Sequence, residues 1–149
     1  MLAQRLELVW RFVLAASFLV GPAAPASPRT WLSPAALVAS PDGATLYVGC
    51  ATGDRVLVFD IASRRVTRRL LFTPGPTGLC LSADGQTLFV TGAAPASRVC
   101  LVNTAQGRVV QEFRAGHTAM APVLSPDGRT LFVCNRFDDV SALYVRTGQ

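Results

Sequence analysis

From about residue 35 onward, apolar and polar positions alternate in short runs, and Gly, Pro, Asp or Ser interrupts each run. Alternation with period two between such breakers predicts β-strands joined by tight turns. The runs occupy 35–40, 45–49, 55–61 and 65–72, then 77–82, 87–91, 98–103 and 109–114, then 122–125, 130–134 and 140–145. No comparable stretch shows the helical spacing of three and four, so an all-β chain is expected.

The second strand of each group follows the same turn. Ser40-Pro41-Asp42-Gly43-Ala44-Thr45-Leu46-Tyr47-Val48 returns as Ser82-Ala83-Asp84-Gly85-Gln86-Thr87-Leu88-Phe89-Val90 and as Ser125-Pro126-Asp127-Gly128-Arg129-Thr130-Leu131-Phe132-Val133, at spacings of 42 and 43 residues. That period is the length of one four-stranded propeller blade. The expected fold is a partial β-propeller of nearly three four-stranded antiparallel blades, at 35–72, 77–114 and 119–149. The last blade is read as incomplete, because Arg146-Thr147-Gly148-Gln149 match the third-to-fourth-strand turns of the other two. Repetition also decides the role of Asp42, Asp84 and Asp127. Asp binds its own turn and Gly supplies the positive φ, so these carboxylates are read as turn formers rather than general bases.

Residues 1–26 read as a signal peptide. Arg5 and Arg11 precede an apolar run from Phe12 to Val20, and Ala24-Pro25-Ala26 provides a small-x-small cleavage site before Ser27. The run is shorter than the ~20 apolar residues a bilayer span requires, so membrane contact is expected only during export. The mature chain would then be periplasmic or secreted, with 27–34 as a linker. Cleavage lowers the formal charge from +5 to +4, spread along the chain. That is no nucleic-acid footprint, which would show clustered basic residues and interleaved aromatics.

In an up-and-down blade the second-to-third-strand loops and the connections between blades share one face, and the Asp-Gly turns lie on the other. The shared face holds the only histidine, His117, with Asn135, Arg136, Asp138 and Asp139 of blade three and Arg98 of blade two. Loops on a rigid scaffold are where binding residues concentrate, so these six form the candidate ligand or partner face. Arg136 with either Asp is expected to order its loop as an ion pair. No catalytic or metal-ligating set is assigned, and the small-molecule ligand is unknown. Cys50, Cys80, Cys100 and Cys134 lie 20 to 34 residues apart without a Cys-x-x-Cys unit, and read as buried free thiols replacing core hydrophobes. Arg64, Arg65, Arg68 and Arg69 fall on an outermost strand, where charge discourages edge-to-edge pairing.

The segments Tyr47-Val48-Gly49-Cys50, Phe89-Val90-Thr91-Gly92 and Phe132-Val133-Cys134-Asn135, each after its Asp-Gly turn, resemble the YVTN β-propeller repeat. Gly75-Pro76-Thr77-Gly78 strengthens the likeness, which extends over Ala35 to Gln149. The resemblance implies an N-terminal fragment of a seven-bladed, exported bacterial propeller that serves as a binding or scaffold module without catalysis of its own. A protein partner or further C-terminal blades would complete it. Residues 116–128 and 133–141 are also similar to propellers that precede a di-haem cytochrome c peroxidase-like domain. This implies an alternative, the propeller portion of a periplasmic redox protein. The chain itself has no Cys-x-x-Cys-His, so any haem would belong to a domain outside it.

Overall fold

The computed structural model describes residues 31–137 and 139–145. The signal-peptide reading, the first half of the linker, Asp138 and the final turn lie outside those residues. Blade one comprises β1 (Pro34–Ala39), β2 (Thr45–Cys50), β3 (Arg55–Asp60) and β4 (Arg65–Leu71). Blade two comprises β5 (Pro76–Leu81), β6 (Thr87–Gly92), β7 (Arg98–Asn103) and β8 (Arg108–Arg114). Blade three contributes β9 (Met120–Leu124), β10 (Thr130–Asn135) and β11 (Asp139–Tyr144). Every pairing is antiparallel between consecutive strands, giving two four-stranded sheets and one three-stranded sheet. The described chain is therefore all-β and forms partial propeller blades.

The Asp-Gly turns account for much of this order. In each, the Ser Oγ donates to the Asp Oδ1 at 2.5–2.6 Å, and that oxygen also accepts from the N–H two residues on at 3.0 Å. The same Ser Oγ accepts from the first N–H of the following strand at 2.9 Å. Gly43, Gly85 and Gly128 sit at φ of 69°, 73° and 71°, where a side chain would be strained. The hydrogen bonds, that from Ser first, hold Asp42, Asp84 and Asp127 below the ordinary carboxylate pKa. They stabilise the ionised, acceptor-only form.

Blade two is buried on both faces. Leu88, Val90 and Val102 pack with Tyr47, Val56 and Phe72 of blade one, whereas Phe89, Val99 and Leu101 pack with Leu131, Val133 and Val145 of blade three. Adjacent residues of β6 thus serve opposite interfaces, as strand alternation requires. Polar links also join the blades. Arg68 of β4 donates to the carbonyls of Thr104 and Ala105 at 3.3 and 2.7 Å, and Thr77 of β5 donates to the Ala119 carbonyl at 2.5 Å. Arg68 is accordingly more than an edge charge, because it ties blade one to the β7–β8 turn of blade two.

The four cysteines correct one expectation. Cys50 is buried and Cys80 and Cys100 half-buried, but Cys134 is exposed. Cys134 lies on the face of β10 that no described blade covers. Cys80 packs in the blade two–three interface and Cys100 in the blade one–two interface, which keeps them apart.

Candidate functional site

Topology brings His117 to the end of β10. The Arg136 N–H donates to the His117 carbonyl at 2.8 Å, and the His117 ring lies 5.0 Å from the Phe137 ring with a 59° tilt. Nδ1 of His117 shares a 2.8 Å hydrogen bond with the Thr118 hydroxyl. His117 therefore stands against the Asn135–Phe137 loop, on the opposite face from the Asp127-Gly128 turn. The histidine ring is held through its neighbours on both sides.

Asn135 is the last residue of β10 and only 8% exposed. Its Nδ2 donates to the Ser141 hydroxyl at 2.8 Å, while Oδ1 is buried without a hydrogen-bond partner among the described residues. The amide lies close over Gly116, where an added Cβ would stand 2.5 Å from the Asn135 Cγ. Any side chain at residue 116 would displace the amide, so Gly116 is required by this approach.

Arg136 is expected to pair with either Asp138 or Asp139, and its position speaks only to the second. Among the described residues it forms no ion pair with Asp139; its guanidinium carbon lies 5.8 Å from the centre of the Phe137 ring. Asp138 lies outside the described residues. The ring thus receives His117 and Arg136 together, a cation–π contact on one part and a tilted aromatic contact on the other. Phe137 is 73% exposed and takes φ of 73°, and Thr118 takes φ of 49°. A bulky residue in the left-handed region is an outlier that surrounding structure must hold in place.

Arg98 belongs to a different patch. It pairs with Glu112 on the neighbouring strand at 2.9 Å, with the two side chains 68% and 44% exposed. The Glu112 hydrogen bond, with its charge, raises the Arg98 pKa further. Solvent screens such an exposed pair, so it contributes little to stability. The pair borders a cleft of about 100 Å³ between Phe72–Pro74 and blade two, and also an open groove of about 540 Å³ along Ala96–Arg98 and Glu112–Ala115. The enclosed space is well below the ~300 Å³ at which small-molecule pockets begin. In the cleft, burial first and the Glu112 charge second push the Cys100 thiol up to about 11, which disfavours its thiolate. Among the described residues no group of three His, Cys, Asp or Glu is placed to hold a metal ion.

Ser97 connects the two patches and was not legible in the sequence. Its buried hydroxyl donates to the Ala94 carbonyl at 2.8 Å and accepts from the Ala119 N–H at 3.0 Å, while its carbonyl accepts from Ala115 at 2.9 Å. The Thr118 N–H donates to the Ala94 carbonyl at 2.8 Å. The β6–β7 loop of blade two thereby fixes the chain that carries His117. Phe137 was also passed over as a site residue, although an aromatic in an otherwise polar loop was a readable signal.

No protein-family model matches the chain, and no curated protein matches it. Solved structures do. The chain is similar to Kuenenia stuttgartiensis hydrazine synthase, with a TM-score of 0.72 and 22% identity over 83% of this chain and 36% of that one. It is similar to the RRP9 WD40 repeats, with a TM-score of 0.70 and 13% identity over 76% of this chain and 36% of that one. It is also similar to the Swd1 β-propeller domain of Myceliophteria thermophila, with a TM-score of 0.67 and 19% identity over 76% of this chain and 35% of that one. The likeness is one of fold, and the chain spans about a third of the length of these proteins.

Proposed function

We propose that this chain is an exported β-propeller module of the YVTN type whose loop face binds a protein partner through blade three. The carrying observation is the exposed Phe137, held at φ of 73° between His117 and Arg136. Aromatic and Arg side chains dominate the energetic centres of protein interfaces, and backbone strain of this kind gathers at binding sites. WD40-repeat structures among the similar folds support a scaffold reading.

Photo-crosslinking in the exporting cell tests the binding face. A crosslinker at residue 137 is expected to give a discrete protein adduct, and one at residue 43 none. Equal adducts from both positions, or none from residue 137, would overturn the reading. Export is tested separately, by finding Ser27 as the N-terminus in the extracytoplasmic fraction. Only intact chains beginning at Met1 in the cytosol would refute it. The redox alternative rests on the resemblance around residues 116–141, and requires Cys-x-x-Cys-His motifs in sequence continuous with this chain.

A further inference from the structure

The blades meet chiefly through their inner strands, β1 with β5 and β5 with β9, whereas β4 and β8 stand apart at the rim. Each is the last strand of its four-stranded sheet. Further blades joined through inner strands in the same way would leave this rim open. β4 carries Arg65, Arg68 and Arg69, all exposed, and exposed Arg64 lies in the turn before it. Arg68 reaches the β7–β8 turn and lies close over Gly107, which places Arg108 next to the same group. Among the described residues none of these five arginines pairs with a carboxylate. Asp60 stands opposite Arg65 in the β3–β4 register, but its Oδ1 accepts from the Ser63 N–H and hydroxyl at 2.7 and 2.5 Å.

β8 has the same place in blade two, yet it carries Val109, Val110, Gln111 and Glu112 where β4 carries Val66, Thr67, Arg68 and Arg69. An outermost strand of this blade type therefore does not require arginine at those positions. Arginines along an unpaired edge reject neutral and basic strands, and the same field attracts an acidic one. We infer that the β4 edge receives an extended acidic segment of a protein partner as an added strand. Two features choose this occupant. The uncompensated positive charge selects an anionic group, and the unpaired backbone of an edge strand selects a polypeptide, which alone can continue the ladder. The register with β3 shifts at Thr67, and beyond it residues 68–71 run in unbroken register and provide the stretch to be paired. A nucleic acid would call for aromatic platforms, and β4 has none. The rim lies apart from the loop face, so this inference does not rest on what that face binds.

Fluorescence anisotropy of the full chain with a labelled hexapeptide alternating Glu and Val tests it, beside the same peptide with Lys in place of Glu. The Glu peptide is expected to bind, more weakly as salt rises, and the Lys peptide not to bind. The double variant Arg65→Glu, Arg69→Glu should weaken binding by about tenfold or more, since it places like charges against the peptide. Bound peptide should slow amide exchange in residues 65–71, and N-methylation of alternate peptide nitrogens should abolish binding. No binding of the Glu peptide, equal binding of the Lys peptide, or full affinity in the double variant would overturn the inference. Binding that survives N-methylation, or slowed exchange only outside β4, would overturn it too, because charge alone would then hold the peptide as it would any anion. Should the double variant fail to fold, the exchange footprint and the N-methylated peptide decide on the unaltered protein.

Discussion

Ser82 is half of a small hydrogen-bond circuit, and its hydroxyl has two duties. It donates to Asp84 and accepts from the Thr87 N–H, so Ser82→Ala leaves a backbone donor without its partner. A loss of about 1 kcal/mol is expected in urea unfolding. The paired carboxylates give a pH signature. Asp42, Asp84 and Asp127 have folded pKa values below the ordinary 3.8, so their contribution is complete above that value. It is lost as pH falls below 3.8 through the lower folded values. A triple Asp→Asn variant should show a flatter urea midpoint across this range; an unchanged slope would remove the turns from the acid response. At the loop face, Ser97→Ala should cost about 1–3 kcal/mol by stranding the Ala119 N–H. The same variant should shift the His117 ring resonances in NMR, since Ala119 follows the histidine's own turn. The placement of His117 beside Asn135–Phe137 was legible because topology alone sets which loops share a face. The Arg98–Glu112 pair was not legible. It depends on Cys100 standing opposite Glu112, and that register includes a bulge between Leu101 and Val102 that no residue pattern announces.

At the scale of strands, an apolar side chain carries different weight according to its place in the blade. Phe89 in β6 is 0% exposed, whereas Val110 lies on the exposed outermost strand β8. Phe89→Ala should destabilise by about 3–5 kcal/mol. Val110→Ala should change stability by about 0.5 kcal/mol or less, since surface substitutions seldom do more. Urea titration of both checks the contrast. Strand positions were readable to within two residues, because turn chemistry marks both ends of the inner strands. Cys134 was misread for a reason of the same scale. Its place in the repeat marks it as facing a neighbour, but a repeat pattern describes the ideal blade and not which neighbours are present.

Across the molecule, the blades behave as a short one-dimensional array in which each contacts only the next. Leu88 and Phe89 provide a direct test, being adjacent in sequence yet members of different interfaces. Leu88→Ala should speed amide exchange chiefly in β1–β4, and Phe89→Ala chiefly in β9–β11. Uniform acceleration in both variants would show a single cooperative unit.

The double burial of β6 also changes what keeps that strand in step. In a sheet with one wet face, a slip by one residue turns its apolar side to water and is rejected at once. In β6 a slip merely exchanges one apolar row for another, since Leu88 and Val90 alternate with Phe89 and both rows are buried. Hydrophobicity therefore proofreads this strand poorly. The work falls to the Asp84-Gly85 turn, which sets the count of residues before the strand begins, so its hydrogen bonds guard the accuracy of folding as well as the stability of its product.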